Sequence, residues 1–157
     1  MVYVDKTIKK LIKEISLIED YNENNITSIG YDLVIDSFIK EFDNNKPFIF
    51  LNNVTLKPLQ SIFVLCKEKV NIPINLTAKV VLRNSYIRKG LIISCPQFYP
   101  NHSTDIIFNI FNSSEDDIEI KRNTSISTII FEELNDIPSN IYNGRYQNED
   151  IKKVIKK

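Results

Sequence analysis

Residues 67–91 read KEKVNIPINLTAKVVLRNSYIRKGL, and how this stretch divides decides the fold. Within LTAKVV the apolar residues alternate, so Leu76, Ala78 and Val80 share one face of a half-buried strand. That strand runs straight into Arg83, Ser85 and Arg88, which fall within six residues and are followed by Gly90, one of three glycines in the chain. Arginine forks and a hydroxyl donate well to phosphate oxygens, and a following glycine lets the backbone approach closely. Taken alone, the same pattern also describes a solvated turn between two strands.

The flanking sequence is also strand-like. Short β-branched and aromatic runs (FIFL, SIFVL, LIIS, DIIFNIF, DIEI, SISTIIF) are separated by segments rich in Asn, Pro, Asp and Ser. Many short strands with few helices imply an all-β sandwich or barrel. One helix is expected at the start, where Ile8, Leu11, Ile12 and Ile15 follow a capping Asp5 and share a face. Lys6, Lys9, Lys10 and Lys13 fill its solvated side. Residues 135–149 carry turn formers without a period and read as an extended tail, and IKKVIKK closes the chain as a short helix or an unstructured end.

A chain of 157 residues with 43% hydrophobic content can bury one core, so residues 1–157 are read as one domain with 135–157 as its tail. Twenty basic and twenty acidic side chains cancel, which gives no global attraction to nucleic acid or to a membrane surface. An anionic ligand must therefore be held locally. With no apolar signal core and no spanning apolar run, the protein is expected to be soluble and cytoplasmic, with neither nucleic acid nor membrane as partner. Cys66 and Cys95 lack metal-ligand spacing and read as buried thiols, so no zinc is expected. His102, the one histidine, reads as a solvated loop residue, and its solitude argues against histidine-based triads. The eighteen asparagines mark a biased composition.

In their order these segments resemble the deoxycytidine triphosphate deaminases, which share a superfamily with the trimeric dUTP diphosphatases. DKTIKKLIKEISLIED is similar to that family's opening helix and following strand, and SIGYDLVID to its first motif, around Tyr31, Asp32 and Leu33. KEKVNIPINLTAKVVLRNSYIRKGL is similar to the lead-in strand and the arginine-serine-serine motif, with Pro73 and Gly90 in place. IIFNIFN and SISTIIFEEL resemble two later core strands, and YNGRYQNE the C-terminal segment that folds over the nucleotide. The resemblance runs from about residue 5 to residue 149.

It implies a distorted β-barrel of the dUTPase-like, β-clip type that assembles as a homotrimer, with nucleotide sites between subunits. Arg83 and Ser85 would then contact the triphosphate, and Arg88 would lie beside the base and the reacting water. Arg145 and Tyr146 would belong to the closing tail, with Tyr99 and Asn109 at the base pocket. Magnesium would be carried mainly by the phosphates.

The departures bear on chemistry. The deaminases carry a proton-shuttling glutamate where this chain has Asn109, and an amide cannot shuttle protons. General acid/base help is worth about a hundred- to ten-thousand-fold, so its loss is severe. Tyr99 and Asn101 stand where the family has aspartate and glycine, Asn84 replaces the first serine, Asn123 a glycine, and Glu149 a tail glutamine. The hairpin LIISCPQF is also a residue or two shorter. An asparagine at a glycine position can still take a left-handed turn. Glu68 and Asp105 are candidate replacement bases, though no spacing favours either. The reading is a nucleotide-binding relative with weakened or absent catalysis, acting in sensing, sequestration or regulation. Its alternatives are an active dCTP deaminase or dUTP diphosphatase, and a trimeric interaction protein without ligand.

Overall fold

The structure, a computed structural model, describes residues 1–40 and 48–152. Helix α1 spans Asp5–Ile15 and lays Ile8 and Ile12 against the core. Asp5 sits inside its first turn rather than capping it: Val4 is the cap residue and offers no side-chain bond, while the Asp5 amide donates to the Ser28 carbonyl at 3.1 Å. The solvated lysine face forms pairs of low energetic value, Lys9 with Glu23 at 3.3 Å and Lys10 with Glu14 at 3.9 Å.

The strands follow as β1 (Ile18–Glu19), β2 (Ile26–Thr27), β3 (Gly30–Leu33), β4 (Ile35–Ile39), β5 (Phe50–Leu51) and β6 (Asn53–Leu56). Then come β7 (Ser61–Asn71), β8 (Leu76–Leu82), a single helical turn α2 (Asn84–Ile87), β9 (Leu91–Ser94), β10 (Ser103–Asn112), β11 (Ile118–Lys121) and β12 (Ser127–Glu133). They form three sheets. The largest has the order β5-β4-β7-β10-β9, with β1 also on β7; a second joins β11 to β6; the third runs β2-β3-β12-β8. Among the described residues no helix is long and apolar enough to cross a membrane.

One core unites the sheets. Tyr31, Phe38, Phe108 and Phe131 are its largest buried side chains, and Leu76, Ala78 and Val80 point into it together, as their alternation requires. Cys66 is buried and Cys95 half-buried. Gly30 is dictated by packing, because a Cβ there would lie 2.5 Å from the Ile129 carbonyl oxygen across the β3–β12 ladder. Two buried polar groups are built in with partners. Glu68 accepts from the Tyr31 hydroxyl at 2.9 Å and the Val34 amide at 3.0 Å, tying β7 to β3. Asn112 donates to the carbonyls of Leu56 and Asp116, both at 2.8 Å, which fastens β10 to β6 and to the loop after it.

Asn101 and Asn123 adopt left-handed φ values of 66° and 64°. A short polar side chain tolerates this region, so both turns survive without glycine.

Candidate functional site

The third sheet and α2 carry the arginine cluster. Strand β8 ends at Leu82, and Arg83 then takes extended backbone angles before the turn of α2. Arg83, Asn84, Ser85 and Arg88 are all exposed. The Arg83 guanidinium donates to the Ser125 carbonyl at 3.3 Å and stands 3.8 Å from the Asp32 carboxylate. Asp32 is held by Thr128, whose hydroxyl donates to Oδ1 at 2.6 Å across paired strands. Gly90 closes the turn at φ 90°, and an added Cβ would lie 2.8 Å from Ser114 Cβ. Thr27, Asp32, Arg83, Asn84, Ser85 and Thr128 line an open cleft of about 490 Å³. Hydroxyls and a guanidinium there suit the oxygens of an anion.

A second cavity, of about 320 Å³, lies beside the hairpin that links β9 to β10. Phe98, Tyr99, His102 and Ile107 form its largely apolar wall, and Tyr142, Tyr146 and Glu149 close it from the C-terminal segment. The rings of Tyr99 and Tyr142 are nearly parallel with centroids 6.0 Å apart, and the His102 ring is 4.3 Å from that of Tyr142. His102 is therefore not the solvated loop residue its sequence context suggests. One imidazole nitrogen, Nε2, meets the Tyr146 carbonyl at 3.1 Å, so it carries the proton. Burial lowers the imidazole's pKa and favours the neutral ring.

Two carboxyls reach the same cavity. Asp105 is buried at the start of a bulge in β10, where pairing jumps from Asp105–Lys69 to Ile107–Leu65. It accepts from the Ile151 amide at 2.5 Å, and Lys152 Nζ is 3.8 Å away. Burial pushes the pKa of Asp105 up, opposed by Lys152 and by the Ile151 amide. Glu149 is pushed up by burial and then by the charge of Asp105. The Cys95 thiol is pushed up to about 12 by burial, which leaves it protonated and a poor nucleophile.

The structure thus places the residues singled out in the sequence in separate neighbourhoods. Arg83 and Ser85 share one cleft, and Tyr99 and Tyr146 the other. Arg88, Asn109 and Arg145 line neither. Asn109 is half-buried on β10, opposite Phe63 on β7 and Ser94 on β9, and on the strand face that also carries Ile107. Arg145 lies over the Tyr146 ring at 5.8 Å. Tyr142 and the juxtaposition of Asp105 with Glu149 escaped the sequence reading. An aromatic within a tract of turn formers was the available signal for Tyr142. No local pattern brings residue 105 to residue 149.

Comparison with known proteins agrees with this architecture. The dCTP deaminase-like family model matches residues 2–134. The chain is 30% identical over 142 residues to a dCTP deaminase of Pyrococcus horikoshii, covering 88% of each. Its fold is similar to that of the 2'-deoxycytidine 5'-triphosphate deaminase of Agrobacterium tumefaciens, with a TM-score of 0.69 and 14% identity over 83% of this chain. The match spans about half, 47%, of that longer chain. A dUTPase from a phage of S. aureus shares the fold at a TM-score of 0.57 and 12% identity, covering 83% of this chain and 92% of its own.

Proposed function

Since the chain belongs to the dCTP deaminase-like family, we propose that it binds a deoxynucleoside triphosphate and that its deamination chemistry is weakened or lost. The observation that carries this reading is a contrast within one molecule. The cleft at Arg83 and Ser85 keeps the donors a phosphate needs, whereas β10 presents the amide of Asn109 where the family shuttles protons. Such a protein holds a nucleotide without consuming it, which suits sensing, sequestration or regulation.

In this proposal Arg83 and Ser85 hold phosphate oxygens, Arg88 and Asn109 lie towards the base, and Arg145 and Tyr146 close from the tail. These groups do not converge within one chain, and the proposal takes from the family resemblance a homotrimer whose sites form between subunits. Among the described residues no group of three or more His, Cys, Asp or Glu side chains converges as a metal site. The proposal has magnesium carried by the nucleotide phosphates and includes no zinc.

Calorimetric titration with dCTP, dUTP and dTTP tests the reading, with mass measurement in solution for the trimer. Absence of binding at millimolar nucleotide would sink it. A second reading, an active deaminase, draws on the Pyrococcus relative and on the Asp105 and Glu149 carboxyls at the hairpin cavity. Raised carboxyl pKa values beside an apolar cavity suit proton transfer. Incubation with dCTP and chromatography for dUTP and dUMP separates the two readings.

A further inference from the structure

Asparagine is among the chemically labile residues, and of the eighteen in this chain only Asn143 is followed by a glycine. Asn143 and Gly144 are both exposed, while the chain on either side of them is tied down. The Tyr142 amide donates to the Pro100 carbonyl at 3.3 Å, and the Tyr142 carbonyl accepts from the Asn101 side chain at 3.2 Å. On the other side the Gly144 carbonyl accepts from the Gln147 amide at 3.1 Å. Between these anchors, neither the Asn143 side chain nor the Gly144 amide has a hydrogen-bond partner among the described residues.

Packing fixes the glycine. A Cβ at residue 144 would lie 2.6 Å from Cε2 of the Tyr142 ring, whose hydroxyl accepts from the Tyr146 amide at 3.2 Å. The residue that this ring demands is also the one that leaves its own amide nitrogen open to the preceding side chain. The two asparagines that precede serine are placed differently. Asn112 is buried and donates to the carbonyls of Leu56 and Asp116, and the amide after it, that of Ser113, donates to the Gly90 carbonyl at 2.9 Å. Asn84 begins the helical turn α2, whose backbone angles hold the next amide away from the side chain.

We propose that Asn143–Gly144 is a site of spontaneous covalent modification, at which the chain deamidates itself without an enzyme. The Gly144 nitrogen attacks Cγ of Asn143, a C–N bond closes a succinimide ring, and ammonia leaves with the amide proton. Water then opens the ring, and nothing is oxidised or reduced. Cleavage of the bond from nitrogen to Cγ leaves aspartate. Cleavage of the bond from nitrogen to the original main-chain carbonyl leaves isoaspartate, with the backbone rerouted through Cβ and Cγ and one methylene longer. Either product sets a carboxylate two positions before Arg145, whose guanidinium lies over the Tyr146 ring. Isoaspartate also lengthens the backbone between two anchored points, which displaces the Tyr142 ring from Gly144. The reaction needs no ligand and is independent of the nucleotide reading.

Ageing the full chain in mildly alkaline buffer, followed by digestion and mass spectrometry, tests the site. Asn143 should exchange its amide for an acid roughly tenfold or more faster than Asn84 or Asn112, giving separable aspartate and isoaspartate peptides. Heavy-oxygen water should label the new carboxylate. In denaturant Asn84 and Asn112 should quicken, whereas Asn143 should change by less than about threefold, because folding leaves it available. Strong protection of Asn143 by folding, or modification of Asn84 at an equal rate in the folded chain, would overturn the proposal. Asn143→Gln should stay unmodified at this position, and it adds no Cβ beneath the Tyr142 ring as Gly144→Ala would. Hydrogen exchange of the Tyr142 and Tyr146 amides should quicken roughly tenfold in the purified isoaspartate form and stay near the parent rate in Asn143→Asp, which has the charge without the methylene. Equal exchange in those two proteins would refute the displacement of Tyr142.

Discussion

The cleft at Arg83 and the cavity at Tyr99 are both reached from the surface, yet they are finished in opposite ways. Arg83, Ser85 and Arg88 stand in solvent on a short turn, and Arg83 meets the Ser125 carbonyl at 3.3 Å and Asp32 at 3.8 Å. The hairpin cavity is already covered, by aromatic rings supplied from the end of the same chain. Exposed charge has no intrachain partner strong enough to hold it, because a solvated ion pair contributes less than about 1 kcal/mol. Apolar walls are covered by whatever apolar surface can reach them. The first region is left open to a ligand, and the second is walled in part by the chain's own C-terminal segment.

The contrast is broken most severely by placing an acid on β10. Asn109→Glu puts a carboxyl on the β10 face, and should raise dCTP deamination by about a hundred- to ten-thousand-fold over the parent if the site is otherwise competent. Chromatographic assay for dUTP measures it. No gain would mean that residue 109 is not what limits the reaction.

Removing the open region's donor comes next. Arg83→Ala is expected to weaken deoxynucleoside triphosphate binding by about tenfold to a hundredfold, the worth of a hydrogen bond to a charged group. The loss should appear in calorimetry, with little change in melting temperature without ligand, since Arg83 is exposed. A large fall in that melting temperature with unchanged binding would assign Arg83 to scaffolding.

Gly90→Ala should destabilise the fold by about 1–3 kcal/mol, because the residue holds φ 90° and its new Cβ would meet Ser114 Cβ at 2.8 Å. Denaturant unfolding reads this directly. An unchanged midpoint would show that the turn relaxes freely and does not preset the arginines.

The smallest effect concerns Glu68, which supports β3 and thereby Asp32 behind the open cleft. Burial raises its pKa, outweighing the bonds from the Val34 amide and Tyr31. A raised carboxyl pKa means that the folded state binds the proton more tightly. Its stabilising contribution is complete below the ordinary glutamate range and declines as pH rises through the raised value. In Glu68→Gln this part of the pH dependence of the melting temperature should flatten. A profile parallel to that of the parent protein would show that Glu68 does not titrate in that range.

Much of the β architecture could be read locally. Alternation in LTAKVV specifies which side chains face the core, and the helical spacing of Ile8, Leu11, Ile12 and Ile15 specifies α1. The cap was misassigned because Asp5 resembles a capping residue, whereas its amide is satisfied by the distant Ser28 carbonyl. The tail was the harder segment. NDIPSNIYNGRYQNE has no period, so nothing in it declares a docked conformation, but Tyr142, Gln147 and Ile151 find partners supplied by Pro100, Ser103 and Leu65. Of the closing IKKVIKK, residues 153–157 lie outside the described residues.

The sequence by itself determined the strand pattern and the lone arginine cluster with its glycine. Each depends on residue type and near-neighbour spacing, which the chain displays directly. Only the tertiary structure decided that Asp105 meets Glu149, that His102 is half-buried beneath Tyr142, and that Arg83 and Tyr99 occupy different cavities. The two pairings join residues about forty positions apart through sheet packing, and the burial that changes their protonation exists only once the sheets have closed.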